Sequence, residues 1–188
     1  LVDPENVKKA LRPDTVLVAI MYANNEIGTI EPIAEIAKVV QDFRKKQASN
    51  SSTTYNLQPT PLFLTDACQA AGALDMDVQK LGVDLMAFNG SKIYGPKGLG
   101  CLFIRRGIQL KPIIYGGGQE NNLRSGTENI PGIVGLAKAM EIANQEKEKE
   151  DARLIELRDY LINRILKEIP KTILNGHPTL RLPNNVNI

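Results

Sequence analysis

The sequence predicts an α/β layered fold, and three observations carry that prediction. Short apolar runs recur at residues 16–23, 61–65, 85–88 and 100–105. Stretches with helical spacing lie between and after them. Polar residues follow the first three runs directly: Asn24, Asn25 and Glu26, then Asp66, then Asn89 to Lys92. Strands that alternate with helices build a sheet with helices on its faces, and ligands gather outside the carboxyl ends of such strands.

Taken in order, residues 4–11 resemble a helix leading into the first strand. Residues 16–23 follow Pro13 and Asp14 as a nearly continuous apolar run, the pattern of a buried strand in a parallel sheet. Ile33, Ile36, Ala37, Val40 and Phe43 then form one helical stripe, and Pro32 suits its first turn. Residues 49–61 are rich in Ser, Thr, Asn and Pro and read as a surface connection. The second strand ends at Asp66, the third just before Asn89, and the fourth follows the turn-rich Gly95-Pro-Lys-Gly98. From Pro131 the pattern is helical, with a stripe of Leu154, Leu157, Leu161, Ile165 and Ile169 that stops at Pro170. The charged residues 145–153 within it read as a solvated helical face or a break. Residues 171–174 and 185–188 look like the starts of strands, and both ends of the chain read as cuts through a larger protein.

Composition narrows the function classes. A length of 188 residues suits one domain plus part of a second. The net charge of +2 arises from nearly balanced bases and acids, which gives no basic face for nucleic acid or an anionic membrane. No apolar run approaches the roughly 20 residues of a membrane span, and a cytoplasmic location is the expectation. Cys68 and Cys101 sit in apolar runs without a C-x-x-C spacing, so they read as small core residues and not as a disulfide or a zinc site. His177 stands in a Gly-His-Pro turn with no second ligand beside it, and no metal is expected.

One constellation carries chemistry. Lys92 follows an apolar strand, an Asp-x-x-Gln pair (Asp66 and Gln69) ends the strand before it, and Asn24-Asn25-Glu26 ends the strand before that. Pyridoxal phosphate chemistry asks for this set: a lysine for the Schiff base, an acid at the pyridine nitrogen, and neutral donors for the phenolate oxygen and the phosphate. Asp66, Gln69, Asn89, Ser91 and Lys92 fill those positions, and the same residues also read as caps and turns.

Four longer motifs bear on that choice: Tyr22-Ala-Asn-Asn-Glu-Ile-Gly28, Thr65-Asp-Ala-Cys-Gln-Ala70, Asn89-Gly-Ser-Lys-Ile-Tyr-Gly-Pro-Lys-Gly98 and Gly116-Gly-Gly-Gln-Glu-Asn-Asn-Leu-Arg-Ser-Gly-Thr-Glu-Asn129. In this order they resemble the class V aminotransferase-like cysteine desulfurases, which are pyridoxal phosphate enzymes. The resemblance implies an aspartate aminotransferase-like fold: a partial large cofactor-binding domain over residues 1–135, a linking helical region over 136–170, and the start of a small α/β domain over 171–188. It implies Lys92 as the Schiff-base lysine, Asp66 at the pyridinium nitrogen and Gln69 on the phenolate oxygen. Asn25 would lie near that oxygen and the substrate carboxylate, Asn89 and Ser91 at the phosphate, and Thr127 at the phosphate of the partner subunit in a homodimer.

The activity so implied is sulfur transfer from L-cysteine, leaving L-alanine, with a cysteine persulfide passed on to a sulfur-acceptor protein for iron-sulfur cluster assembly or another biosynthesis. The stretch alone is expected to be inactive. One departure stands beside the lysine: Ser91 occupies a position where the family usually has His. A selenocysteine lyase is the alternative within the enzyme class, and a non-catalytic scaffold degenerate in the cofactor site is the alternative outside it.

Overall fold

The computed structural model describes residues 1–50 and 60–188. The connection expected over residues 49–61 falls in its central part outside the described residues. Strand β1 (Leu17–Met21) follows the short helix α1 (Pro4–Ala10), whose first turn is capped by Asp3 accepting from the Glu5 N–H at 2.9 Å. Helix α2 (Ile33–Asn50) leads to β2 (Leu62–Asp66), α3 (Val78–Leu81) and β3 (Leu85–Asn89). A 3-10 turn (Gly90–Lys92), β4 (Gly100–Ile104), the single turn α4 (Gln119–Asn122) and the long helix α5 (Ile130–Glu168) complete the order.

The strands lie in the order β1-β2-β3-β4, parallel except for β4, which runs antiparallel to β3. The register sets Met21 beside Asp66, Asp66 beside Ala87, and Asn89 beside Gly100. The polar residues that follow β1, β2 and β3 therefore emerge along one edge.

Side chains alternate across a sheet, and Val18, Ile20, Phe63, Met86 and Phe88 share the face packed on α2. The expected helical stripe is the other half of this core: Ile33, Ile36, Ala37 and Val40 are each at most 2% exposed. The opposite face is more open, with Leu17 and Leu102 exposed. Among the described residues β1 is paired on one side only, with β2, and its side chains alternate between exposed and partly exposed over Leu17–Ile20.

The far end of the sheet is tied by Asp84, which lies just before β3. Its buried carboxylate accepts from the Phe63 N–H at 2.8 Å and pairs with Arg44 of α2, while its carbonyl accepts from the Arg105 N–H at 2.8 Å. Three elements are thus pinned at one buried acid, whose charge is acceptable in the core only because it is paired.

Helix α5 runs unbroken through residues 145–153, which form a helical face where Lys147 and Asp151 pair at 3.1 Å. Its apolar stripe is largely open, with Leu157, Leu161 and Ile169 exposed, and the buried positions of that half are Arg158 and Ile162. The strands expected at 171–174 and 185–188 do not form, and this segment meets the rest of the fold through a single bridge between Thr29 and Arg181 and through side-chain hydrogen bonds. His177 sits half-buried, its Nδ1 accepting from the Leu180 N–H at 2.9 Å, which makes it a turn residue.

Candidate site at the carboxyl edge of the sheet

The chain leaves β1 through a turn built by Asn24. Its side-chain oxygen accepts from the N–H groups of Glu26 and Ile27, both at 2.9 Å, and its backbone carbonyl accepts from the Gly28 N–H at 3.1 Å. Asparagine favours such a turn because its short amide imitates a backbone group. The turn presents Asn25 and Glu26 to solvent. Gly28 has φ +68, a conformation with no steric penalty only for glycine.

Asp66, the last residue of β2, carries an exposed carboxylate that accepts from the Cys68 N–H at 2.9 Å, and its carbonyl accepts from the Tyr22 N–H at 2.7 Å. Ala67 and Ala70 are fully buried and pin the following turn, holding Gln69 half-buried between them. Cys68 belongs to this turn and not to a strand, which corrects the expectation of a core residue. Its thiol is pushed up to about 11, first by burial and then by the Asp66 carboxylate, with Asn89 acting weakly in the opposite sense. Cys101 also departs from expectation: the residue is exposed on β4, with its thiol raised by surrounding protein and by Glu120.

Strand β3 ends at Asn89, and the turn after it sets Lys92. The carbonyl of Gly90 accepts from the N–H groups of Ile93 at 3.1 Å and Gly95 at 2.8 Å. A Cβ on Gly90 would come within 3.0 Å of the Pro96 carbonyl oxygen and 3.1 Å of a Leu136 methyl, so only glycine fits without displacement. Ile93, 4% exposed, joins Ala71 and Leu136 in a second small core that ties this turn to the Cys68–Gln69 turn and to α5. Ser91 and Lys92 remain exposed, and the Ser91 hydroxyl donates to Asn89 Oδ1 at 2.7 Å.

The edge thus brings Asp66, Cys68 and Asn89 into contact, with Gln69, Ser91 and Lys92 on the adjoining turns and Asn25 on the neighbouring strand end. Thr127 stands apart: it is exposed after α4, and among the described residues no hydrogen bond joins it to this cluster. The segment before it is conformationally unusual, since Glu120, Asn121 and Asn122 all have positive φ. Sequence reasoning missed Cys68 as a neighbour of Asp66 and Asn89, although its place two residues after Asp66 in a tight turn was the available signal.

The class-V aminotransferase family model matches residues 1–188. The cysteine desulfurase IscS of Dictyoglomus turgidum is 50% identical over 186 residues, a stretch covering 99% of this chain and 43% of that protein. A solved structure described as a NifS-like protein superposes with a TM-score of 0.86 at 38% identity, covering 98% of this chain and 46% of the other. Another, SspA in complex with cysteine, gives a TM-score of 0.64 at 39% identity over 74% of this chain and 36% of its own. The chain spans less than half the length of the relatives it matches. A parallel sheet whose strand ends gather an acid, amides and a lysine, matched by a family model from first residue to last, makes this chain a member of the class-V aminotransferase family.

Proposed function

We propose that the protein is a pyridoxal phosphate-dependent cysteine desulfurase whose cofactor is held by the strand-end cluster. Pyridoxal phosphate is the cofactor of the family, and the donor set fits it: an open carboxylate, a half-buried amide, a lysine, and a hydroxyl hydrogen-bonded to a second amide. When bound, it supplies an electron sink for charge developing at the substrate α carbon. The observation that carries the reading is the meeting of Asp66, Gln69, Asn89, Ser91 and Lys92 along one sheet edge.

Each side chain then has a task. Lys92 would hold the cofactor through its side-chain amine, and the same amine would move a proton at the substrate α carbon. Asp66 would keep the pyridine nitrogen protonated, Gln69 would donate to the phenolate oxygen, and Asn89 and Ser91 would donate to the phosphate. Asn25 would lie near the substrate carboxylate and the phenolate oxygen, and Thr127 would reach the phosphate of the partner subunit in a homodimer.

In the overall reaction a thiol takes the sulfur of L-cysteine: the carbon–sulfur bond breaks, a sulfur–sulfur bond forms, and L-alanine leaves with a proton in the sulfur's place. Cys68 is unsuited to that thiol, because a group raised to about 11 is almost wholly protonated at neutral pH. The persulfide passes to an acceptor protein in the cytoplasm, for iron-sulfur cluster assembly. The similarity to IscS and to SspA in complex with cysteine supports this choice of substrate.

The test uses the full-length protein. Borohydride reduction and peptide mapping should place the pyridoxyl group on Lys92, and Lys92→Ala should lose both label and sulfide release. Label on Lys97 in the unaltered protein, or alanine formation by Lys92→Ala, would overturn the assignment.

A further inference from the structure

Both polar groups of the Glu26 backbone are engaged by side chains. Its N–H is taken by Asn24 Oδ1 at 2.9 Å, and its carbonyl receives the Nδ2 groups of Asn185 at 2.8 Å and Asn187 at 3.1 Å. A carbonyl oxygen has two lone pairs, and two donors fill them. The far end of each amide is also held: Arg181 Nη1 donates to Asn185 Oδ1 at 2.9 Å, and Asn175 Nδ2 donates to Asn187 Oδ1 at 2.9 Å. These partners fix which end of each amide faces Glu26.

The support continues behind them. Arg181 is 3% exposed and is satisfied by backbone carbonyls, that of His177 at 3.1 Å and those of Asn175 and Asn185, while the Leu182 N–H donates to the Gly28 carbonyl at 2.8 Å. A Cβ on Gly28 would lie 2.4 Å from Asn185 Cγ, so the two segments touch at the level of the backbone. Backbone bonds already fasten the segments together. The two asparagines add a grip on one peptide carbonyl, that of the residue next to Asn25.

We infer that Asn185 and Asn187 are positioning residues that orient Asn25 toward cofactor and substrate by fixing the Glu26 carbonyl, an inference that rests on the role of Asn25 proposed above. Replacing either amide by a carboxylate keeps the size and the partner at its far end, yet sets an oxygen against the Glu26 oxygen.

The experiment compares Asn185→Asp, Asn187→Asp and Asn25→Ala in the full-length holoenzyme, singly and combined. It follows the pH midpoint of the cofactor absorbance band, the KM for L-cysteine, and hydrogen exchange at the Ile27 and Gly28 amides. The expected result is faster exchange in both Asp variants, a displaced midpoint, and a KM raised roughly threefold to tenfold, the worth of one hydrogen bond. The midpoint and KM effects should vanish when Asn25 is already Ala, because residues acting in series are not additive. Effects that persist undiminished in the Asn25→Ala background, or faster exchange with midpoint and KM unmoved, would overturn the inference. If Asn25→Ala alone changes neither midpoint nor KM, the role of Asn25 fails and the inference falls with it, while the exchange data still report whether the asparagines hold the loop. Should an Asp variant not fold, Asn187→Ala provides the same comparison.

Discussion

Ser91 donates its hydroxyl to Asn89 Oδ1 at 2.7 Å, so the residue that ends β3 and the residue before Lys92 hold each other across one bend. With its oxygen occupied, the Asn89 amide has its nitrogen left to donate. Ser91→Ala in the full-length protein is expected to weaken pyridoxal phosphate retention by about twofold to tenfold, the worth of one neutral hydrogen bond. Lys92 should still be labelled on borohydride reduction. Equilibrium titration of the apoenzyme checks this, and an unchanged Kd would remove Ser91 from the phosphate side of the site.

Cys68 lies against the Asp66 carboxylate with its thiol raised to about 11. At pH 7 roughly one thiol in ten thousand is then ionised, and thiolate is the form that reacts. Alkylation of Cys68 by iodoacetamide should therefore be slow at neutrality, climb with pH, and level off only above about pH 11. Cys68→Ser should keep most of the sulfide release. Fast neutral-pH labelling of Cys68, read by peptide mass spectrometry, would contradict the half-buried, acid-flanked thiol described above.

Asp84 and Asn89 bracket opposite ends of β3, and the structure assigns them unrelated work. Asp84→Asn leaves Arg44 beside a neutral partner in a buried place. Breaking such a pair costs about 3–5 kcal/mol. Denaturant unfolding should show a loss of that order, while the cofactor absorbance band of the protein that remains folded should not move. A shifted band would mean that the two ends of the strand communicate.

Thr65 is fully buried on β2, and its hydroxyl has no hydrogen-bond partner among the described residues. A buried hydroxyl left unpaired costs roughly 1–3 kcal/mol, and valine has the same shape without it. Thr65→Val is expected to raise the midpoint of chemical unfolding and leave cofactor binding intact. A clear destabilisation would show that the hydroxyl meets a partner in solution.

Strands β1 to β4 were legible because each is a short apolar run bounded by turn residues, and α2 because its stripe has a period that only a helix satisfies. The lysine turn and its acid were legible for a related reason: polar residues at the ends of apolar runs have few structural tasks besides capping. The C-terminal segment was not. Residues 185–188 alternate in a strand-like way, yet Asn185 and Asn187 spend their amides on the Glu26 carbonyl, a contact 159 and 161 residues away in sequence. The run Pro183-Asn-Asn-Val-Asn187, dense in amides, was the available hint. Helix α5 was legible from its stripe, but its buried position at Arg158 was not, since the helix buries that arginine to reach the carbonyls of Arg181 and Leu182, both at 3.2 Å, and periodicity does not anticipate a buried arginine.

The pairing of the Asn24–Gly28 turn with residues 175–187 also sets an order of events during synthesis. Strands β1 to β3 and the Lys92 turn can assemble from neighbours close in sequence, at the pace of a ribosome adding about 5–20 residues per second. The small core under Lys92 waits for Leu136, and the turn bearing Asn25 waits longer still, for Asn185 and Asn187. A nascent chain arrested with Asn129 just emerged would own its lysine and its acid but lack both supports, and should not retain cofactor on the ribosome. Capture would begin only after the later segments emerge, so the turn after β1 takes its working shape long after it is translated.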